Sequence, residues 1–130
     1  MRVLICCLLV FLSGCQYLMR TDLPGDLEFK TGAFEDTVRW GDLSNMYAFL
    51  KPDPEQPIEI QPGLDNVRVT ATETASPLAK VDETRWVRTI VIDYVLTDRQ
   101  VVRQIVDQQA WTTDDEGETW YRDNPVPQFR

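Results

Sequence analysis

The sequence predicts an α+β domain: two N-terminal helices packed on a curved antiparallel sheet of about four strands. Apolar residues recur at helical spacing between Asp26 and Leu50, and from Asn66 onward the period drops to two. In addition, two long β-rich runs, about 84–97 and 100–113, match each other side chain for side chain when one is folded back on the other.

Taken in chain order, Asp26 is placed to cap a helix running to about Trp40, with Phe34 and Val38 on one face. Gly41 suits the left-handed position that ends such a helix. Asp42 then suits the N-cap of a second helix. Leu43, Met46, Tyr47 and Leu50 follow it at i, i+3, i+4 and i+7, which makes one apolar stripe, and Pro52 stops it. Residues 52–63 contain four prolines, which forbids a regular helix. Ile58 and Ile60 between them suit a short edge strand. Val67, Val69 and Ala71 alternate with Arg68, Thr70 and Thr72, giving a strand. Residues 75–82 read as a loop around Pro77, Asp114 to Glu118 as an acidic turn, and Thr119 to Arg122 as a final short strand.

The long runs define a register. With Asp98 and Arg99 as the turn, opposite residues sum to 197. One face then pairs Leu96 with Val101, Tyr94 with Arg103, Ile92 with Ile105, Ile90 with Asp107 and Trp86 with Trp111. The other pairs Val95 with Val102, Asp93 with Gln104, Val91 with Val106, Thr89 with Gln108 and Val87 with Ala110. Like meets like at most positions, and a one-residue slip would destroy the correspondence. The bulkier face, with both tryptophans, is assigned to the core. The valine-rich, half-polar face is left to solvent or to a second subunit.

The first residues carry a different message. Arg2 precedes an unbroken apolar run of ten residues, Val3 to Leu12, which is the length of a signal-peptide core and short for a membrane span. Leu12-Ser13-Gly14-Cys15 resembles the bacterial lipobox. That resemblance implies a leader of residues 1–14, cleaved before Cys15, and acyl chains, including palmitate, on Cys15. Two or three chains on one residue give stable anchoring. Gln16, rather than an aspartate, follows the cysteine; by resemblance to enterobacterial sorting this implies the outer membrane, facing the periplasm. Residues 15–26 then form the lipidated cysteine and a tether, and residues 27–130 the domain.

Composition narrows the function. Cys6 and Cys7 lie in the leader, so the mature chain keeps Cys15 alone and has no disulfide. The formal charge of −8 becomes −9 once Arg2 leaves, with 12 basic against 21 acidic residues. Such a chain is repelled by phosphate backbones, so nucleic acid is not an expected partner. There is no histidine, which excludes His-based acid–base catalysis, Ser–His and Cys–His nucleophiles and His-ligated zinc. No cofactor or metal is expected. Asp114-Asp115-Glu116-Gly117-Glu118 lacks the alternating ligand spacing of a calcium loop and reads as a solvated turn.

Two helices joined at Gly41-Asp42 and followed by a strongly paired antiparallel sheet resemble the NTF2-like superfamily. The segment Val38-Arg39-Trp40-Gly41-Asp42-Leu43, continuing to Phe49-Leu50, resembles its helix junction. Gln109-Ala110-Trp111, the acidic turn and Thr119-Trp120-Tyr121 resemble its last hairpin. A third helix, usual there, is not evident, which points to a reduced, cystatin-like version. The resemblance implies a conical pocket between helices and sheet, and either isomerase- or hydrolase-type chemistry on a small apolar ligand or a non-catalytic binding or assembly role, with a homodimer or an envelope protein partner held through the sheet. Fold alone does not choose. The pocket candidates are Tyr94, Arg103 and Asp107, because a carboxylate beside a phenol in an apolar cavity can abstract a proton while the phenol stabilises an oxyanion. The plainer alternative, which the missing histidine favours, is that Arg103 and Asp107 pair with each other or with Arg88. Trp40, Trp86, Trp111 and Trp120 are expected in the core rather than around a ligand. Asp93 is expected to hydrogen-bond Gln104 on the outer face.

Overall fold

The computed structural model describes residues 22–130; the leader, Cys15 and most of the tether lie outside the described residues. Helix α1 (Gly25–Trp40) leads into a 3-10 helix η1 (Leu43–Phe49) and a shorter one, η2 (Leu64–Asn66). Strands β1 (Val67–Asp82), β2 (Arg85–Leu96), β3 (Val101–Thr112) and β4 (Tyr121–Arg122) follow. They pair in chain order as one open antiparallel sheet, so the α+β class and the four strands are as predicted.

Helix α1 buries Leu27, Thr31, Phe34 and Val38, a stripe at i, i+4, i+7 and i+11. Asp26 does not cap it. The N-cap is Pro24, and the Asp26 carboxylate accepts a hydrogen bond from the Trp120 backbone N–H at 2.8 Å. The chain entering β4 passes the helix start and offers that donor. Gly41 is not left-handed either: its φ of −94° and ψ of −168° are extended. Glycine gives room there: a Cβ would sit 3.0 Å from the Thr37 carbonyl oxygen and 3.2 Å from Thr37 Cα, so the helix end would have to shift by a few tenths of an ångström.

Asp42 caps η1 as expected, accepting from the Ser44 N–H at 2.9 Å and the Ser44 hydroxyl at 2.7 Å. Leu43, Met46 and Tyr47 are buried. The turn is a 3-10 helix and ends early because Leu50 leaves it to form a parallel bridge with Arg122, where the Lys51 N–H donates to the Arg122 carbonyl at 3.2 Å. Ile58 and Ile60 form no strand. Both are about half exposed, and the flank of β4 that a proline-spaced strand would use is occupied by Leu50.

Residues 75–82 are not a loop; β1 continues to Asp82. It does so irregularly, with register shifts at Val69/Ala71, Thr74/Ser76, Ser76/Ala79 and Lys80/Asp82. Strand β1 is an edge, where Pro77 costs no ladder bond if its nitrogen faces outward. The β2–β3 register is the predicted one at every pair from Arg85↔Thr112 to Leu96↔Val101. The connection is wider than the Asp98-Arg99 pair: residues 97–100 lie outside both strands, with Gln100 at φ 51°. Asn66 at the end of η2 latches this turn, its side chain bonding the Asp98 N–H at 2.9 Å and the Thr97 hydroxyl at 2.8 Å. Strand β4 is shorter than expected, because Trp120 is buried outside it.

Along β2 every second residue, Trp86 through Leu96, faces the core, as the hairpin predicted. Phe34, Phe49 and Trp111 meet edge to face at centroid distances of 5.4 to 6.4 Å, joining α1 and η1 to β3. Trp86, Trp111 and Trp120 are core residues, but Trp40 is 75 % exposed at the end of α1. It can stay outside because the buried stripe of the helix ends at Val38.

Candidate functional site

The polar side chains on the core side of the sheet converge where β3, β4 and α1 meet. Asp107 and Arg122 form a buried bidentate pair with N–O distances of 2.6 and 2.9 Å. Asp107 also accepts from Gln109 Nε2 at 2.9 Å. Gln109 Oε1 in turn accepts from Arg88 Nε at 2.8 Å and from Trp111 Nε1 at 3.0 Å. Arg88 donates to the Thr31 carbonyl at 2.8 Å and to Glu35 at 3.3 Å. Burial pushes the Arg88 guanidinium below its ordinary pKa, while Glu35 opposes the shift. Arg122 completes its fork with the carbonyls of Asn124 and Pro125, and its guanidinium lies 5.0 Å from the Phe34 ring centre. Among the described residues no buried side-chain polar atom lacks a partner. The Asp107 carboxylate already accepts three hydrogen bonds, which suits clamping β3 to β4 rather than taking a proton from a substrate.

The structure does not bring the three pocket candidates together. Tyr94 lies opposite Arg103 and Asp107 opposite Ile90, so Tyr94 and Asp107 stand four residues apart along the hairpin, about 13 Å. Tyr94 Oη donates to the Arg130 carbonyl at 2.8 Å and accepts the Arg130 N–H, pinning the last residue of the chain. Arg103 is exposed. Asp107 pairs with neither Arg103 nor Arg88 but with Arg122. Sequence reasoning missed that partner because Arg122 arrives from a two-residue strand. One clue was available: a lone acid facing Ile90 on a core strand needs a cation.

A cleft of about 670 Å³ lies elsewhere, between the proline-rich segment and the chain after β4, with Tyr47, Pro57, Ile58, Arg122 and Val126 in its lining. No group of His, Cys, Asp and Glu among the described residues is arranged to hold a metal ion, and no described helix is long and apolar enough to cross a membrane.

No protein-family model, curated protein or solved structure matches the chain. Its own surface is therefore the guide to function.

The outer face of the sheet is the notable surface. Val91 pairs with Val106 and Val95 with Val102. Between these pairs Gln104 Nε2 donates to Asp93 Oδ1 at 2.8 Å, as the sequence predicted. Val102 is 75 % and Val106 61 % exposed. The two valine pairs thus flank one internally satisfied polar pair.

Proposed function

We propose that this chain is a bacterial envelope lipoprotein held on Cys15, facing the periplasm, whose reduced NTF2-like domain is a non-enzymatic assembly module. It pairs with a second copy through the outer face of its sheet. The observation that carries the pairing is the near-symmetry of that face. A two-fold axis through the Asp93–Gln104 pair sets the Val91–Val106 pair of one copy on the Val95–Val102 pair of the other. Apolar area leaves water on both copies; each Asp93 keeps its bond from Gln104, and the two Asp93 carboxylates face each other across the axis at a cost that the valine contacts must exceed. The lipobox at Leu12 to Cys15 supports the anchor.

Light scattering on the non-lipidated chain tests the pairing. A dimer is expected, and Val106→Asp is expected to make it a monomer. A monomeric wild-type domain overturns it.

The second reading, binding of a small apolar ligand, shifts to the cleft lined by Tyr47, Ile58 and Val126, whose volume of about 670 Å³ is in the range of ligand sites. An apolar fluorescent probe should then bind the wild type and lose binding in Ile58→Asp; no binding at all removes this alternative.

A further inference from the structure

Phe29 and Trp40 are the exposed aromatic side chains among the described residues, at 69 % and 75 %. Eleven residues of helix separate them, about 16 Å along the axis, and bring them to within about 20° of one direction. That direction is opposite the buried stripe of Leu27, Thr31, Phe34 and Val38, so both rings stand on the outermost ridge of α1. Gly32, Ala33 and Asp36 lie between them and leave the ridge low in the middle. The Arg39 guanidinium stacks 3.8 Å from the Trp40 ring centre and donates to the Val69 carbonyl at 3.0 Å.

We propose that this ridge of α1 rests on the surface of a zwitterionic phospholipid bilayer, with Phe29 and Trp40 at headgroup depth. The inference rests on the anchor at Cys15. From Cys15 to Gly25 is ten residues, so the start of α1 stays within about 35 Å of the surface. Aromatic rings favour that interface, and the Arg39 guanidinium, held by the Val69 carbonyl, backs the Trp40 ring from the side of the sheet. A convex two-ring ridge is too narrow for a stable protein interface, which needs roughly 800 Å² per partner. The charge selects the lipid: Glu28 and Asp36 flank the rings, and the mature chain carries −9 (12 basic, 21 acidic), so an anionic surface repels it.

Trp40 supplies its own signal, because the other three tryptophans are buried. Cys15 is the sole thiol of the chain once residues 1–14 are removed, so that chain can be coupled to maleimide-bearing lipid whether or not cells acylate it. On phosphatidylcholine vesicles with brominated acyl chains, Trp40 emission should move to shorter wavelength and fall about twofold. The quenching should vanish in Trp40→Phe and in Phe29→Asp, and should weaken when anionic phosphatidylglycerol replaces much of the phosphatidylcholine. Equal quenching in wild type and Trp40→Phe, or in wild type and Phe29→Asp, overturns the inference, as does stronger quenching on anionic vesicles. The mass of Cys15 from native envelopes reports the anchor separately: an unmodified cysteine removes the anchor, and an acylated cysteine with unquenched Trp40 removes the ridge contact alone.

Discussion

Replacing Asp107 with leucine strands a buried cation. The Asp107 and Arg122 side chains are 4 % and 1 % exposed and meet at 2.6 Å. Breaking such a pair from one side costs about 3–5 kcal/mol, because the remaining charge is buried without a counter-charge. Arg122 keeps the carbonyls of Asn124 and Pro125 at 3.1 and 2.8 Å, which places the cost near the lower end, about 3 kcal/mol. With a urea dependence of about 1.5 kcal/mol per molar, the midpoint falls by roughly 2 M. Removing both charges in Asp107→Leu/Arg122→Met leaves no orphaned ion, and apolar pairs of similar volume are about neutral. Gln109 Nε2 still loses its acceptor, so the double variant should stop about 1–2 kcal/mol short of wild type. Urea unfolding followed by the emission of buried Trp111 and Trp120 reads all three proteins. A shift under about 0.5 M for Asp107→Leu, or a double variant no more stable than the single, would refute the assignment of Asp107 to clamping β4.

Asp26→Ala removes the acceptor for the Trp120 N–H and the partner of Lys30 at 3.7 Å, and should cost about 1–2 kcal/mol in the same assay. Gly41→Ala should cost about 1–2 kcal/mol, since its Cβ crowds helical backbone at Thr37; a stabilised variant would contradict the packing reason given for this glycine. Hydrogen bonds from Ser44, Thr84 and Thr119 hold Asp42, Asp82 and Asp115 below the ordinary value of 3.8. The unfolded chain therefore takes up these protons first as pH falls. Stability from the three groups is complete above about pH 5 and is lost as pH drops through 3.8 and then through the folded values. Asp→Asn at all three positions should flatten unfolding free energy against pH below about 5, and an unchanged acid slope would count against these caps. Lys51 is raised above 10.5 chiefly by its hydrogen bond to Asp114, and Lys80 by its bond to Glu83, so their contributions are whole below 10.5 and fade as pH rises through the folded values.

The hairpin was legible in the sequence because β2 and β3 each have two distinct faces, and only one register matches both. Asp93–Gln104 followed from that register alone. What lay hidden was set by neighbours distant in sequence. The extension of β1 past Pro77 depends on its place at the sheet edge, and the truncation of η1 depends on Leu50 meeting Arg122. Asp26 has the sequence position of a cap, yet its carboxylate is drawn to Trp120. The pocket candidates share one face of the β2–β3 hairpin, but four residues of strand rise hold Tyr94 and Asp107 too far apart to meet, and the cation for Asp107 comes from β4. Trp40 has the pattern of a core residue but lies outside it, because periodicity gives a residue's face without showing where the neighbouring layer ends.

The proposed anchor on Cys15 underlies the proposed localisation, the partner at the membrane and the lipid contact of α1. Mass spectrometry of the N-terminal peptide from cell envelopes, with Cys15→Ser alongside, tests it most directly. The expected products are a chain starting at diacylglyceryl-modified Cys15 and, for Cys15→Ser, an unprocessed, unlipidated precursor. A wild-type chain cleaved normally but carrying no lipid on Cys15 would contradict it.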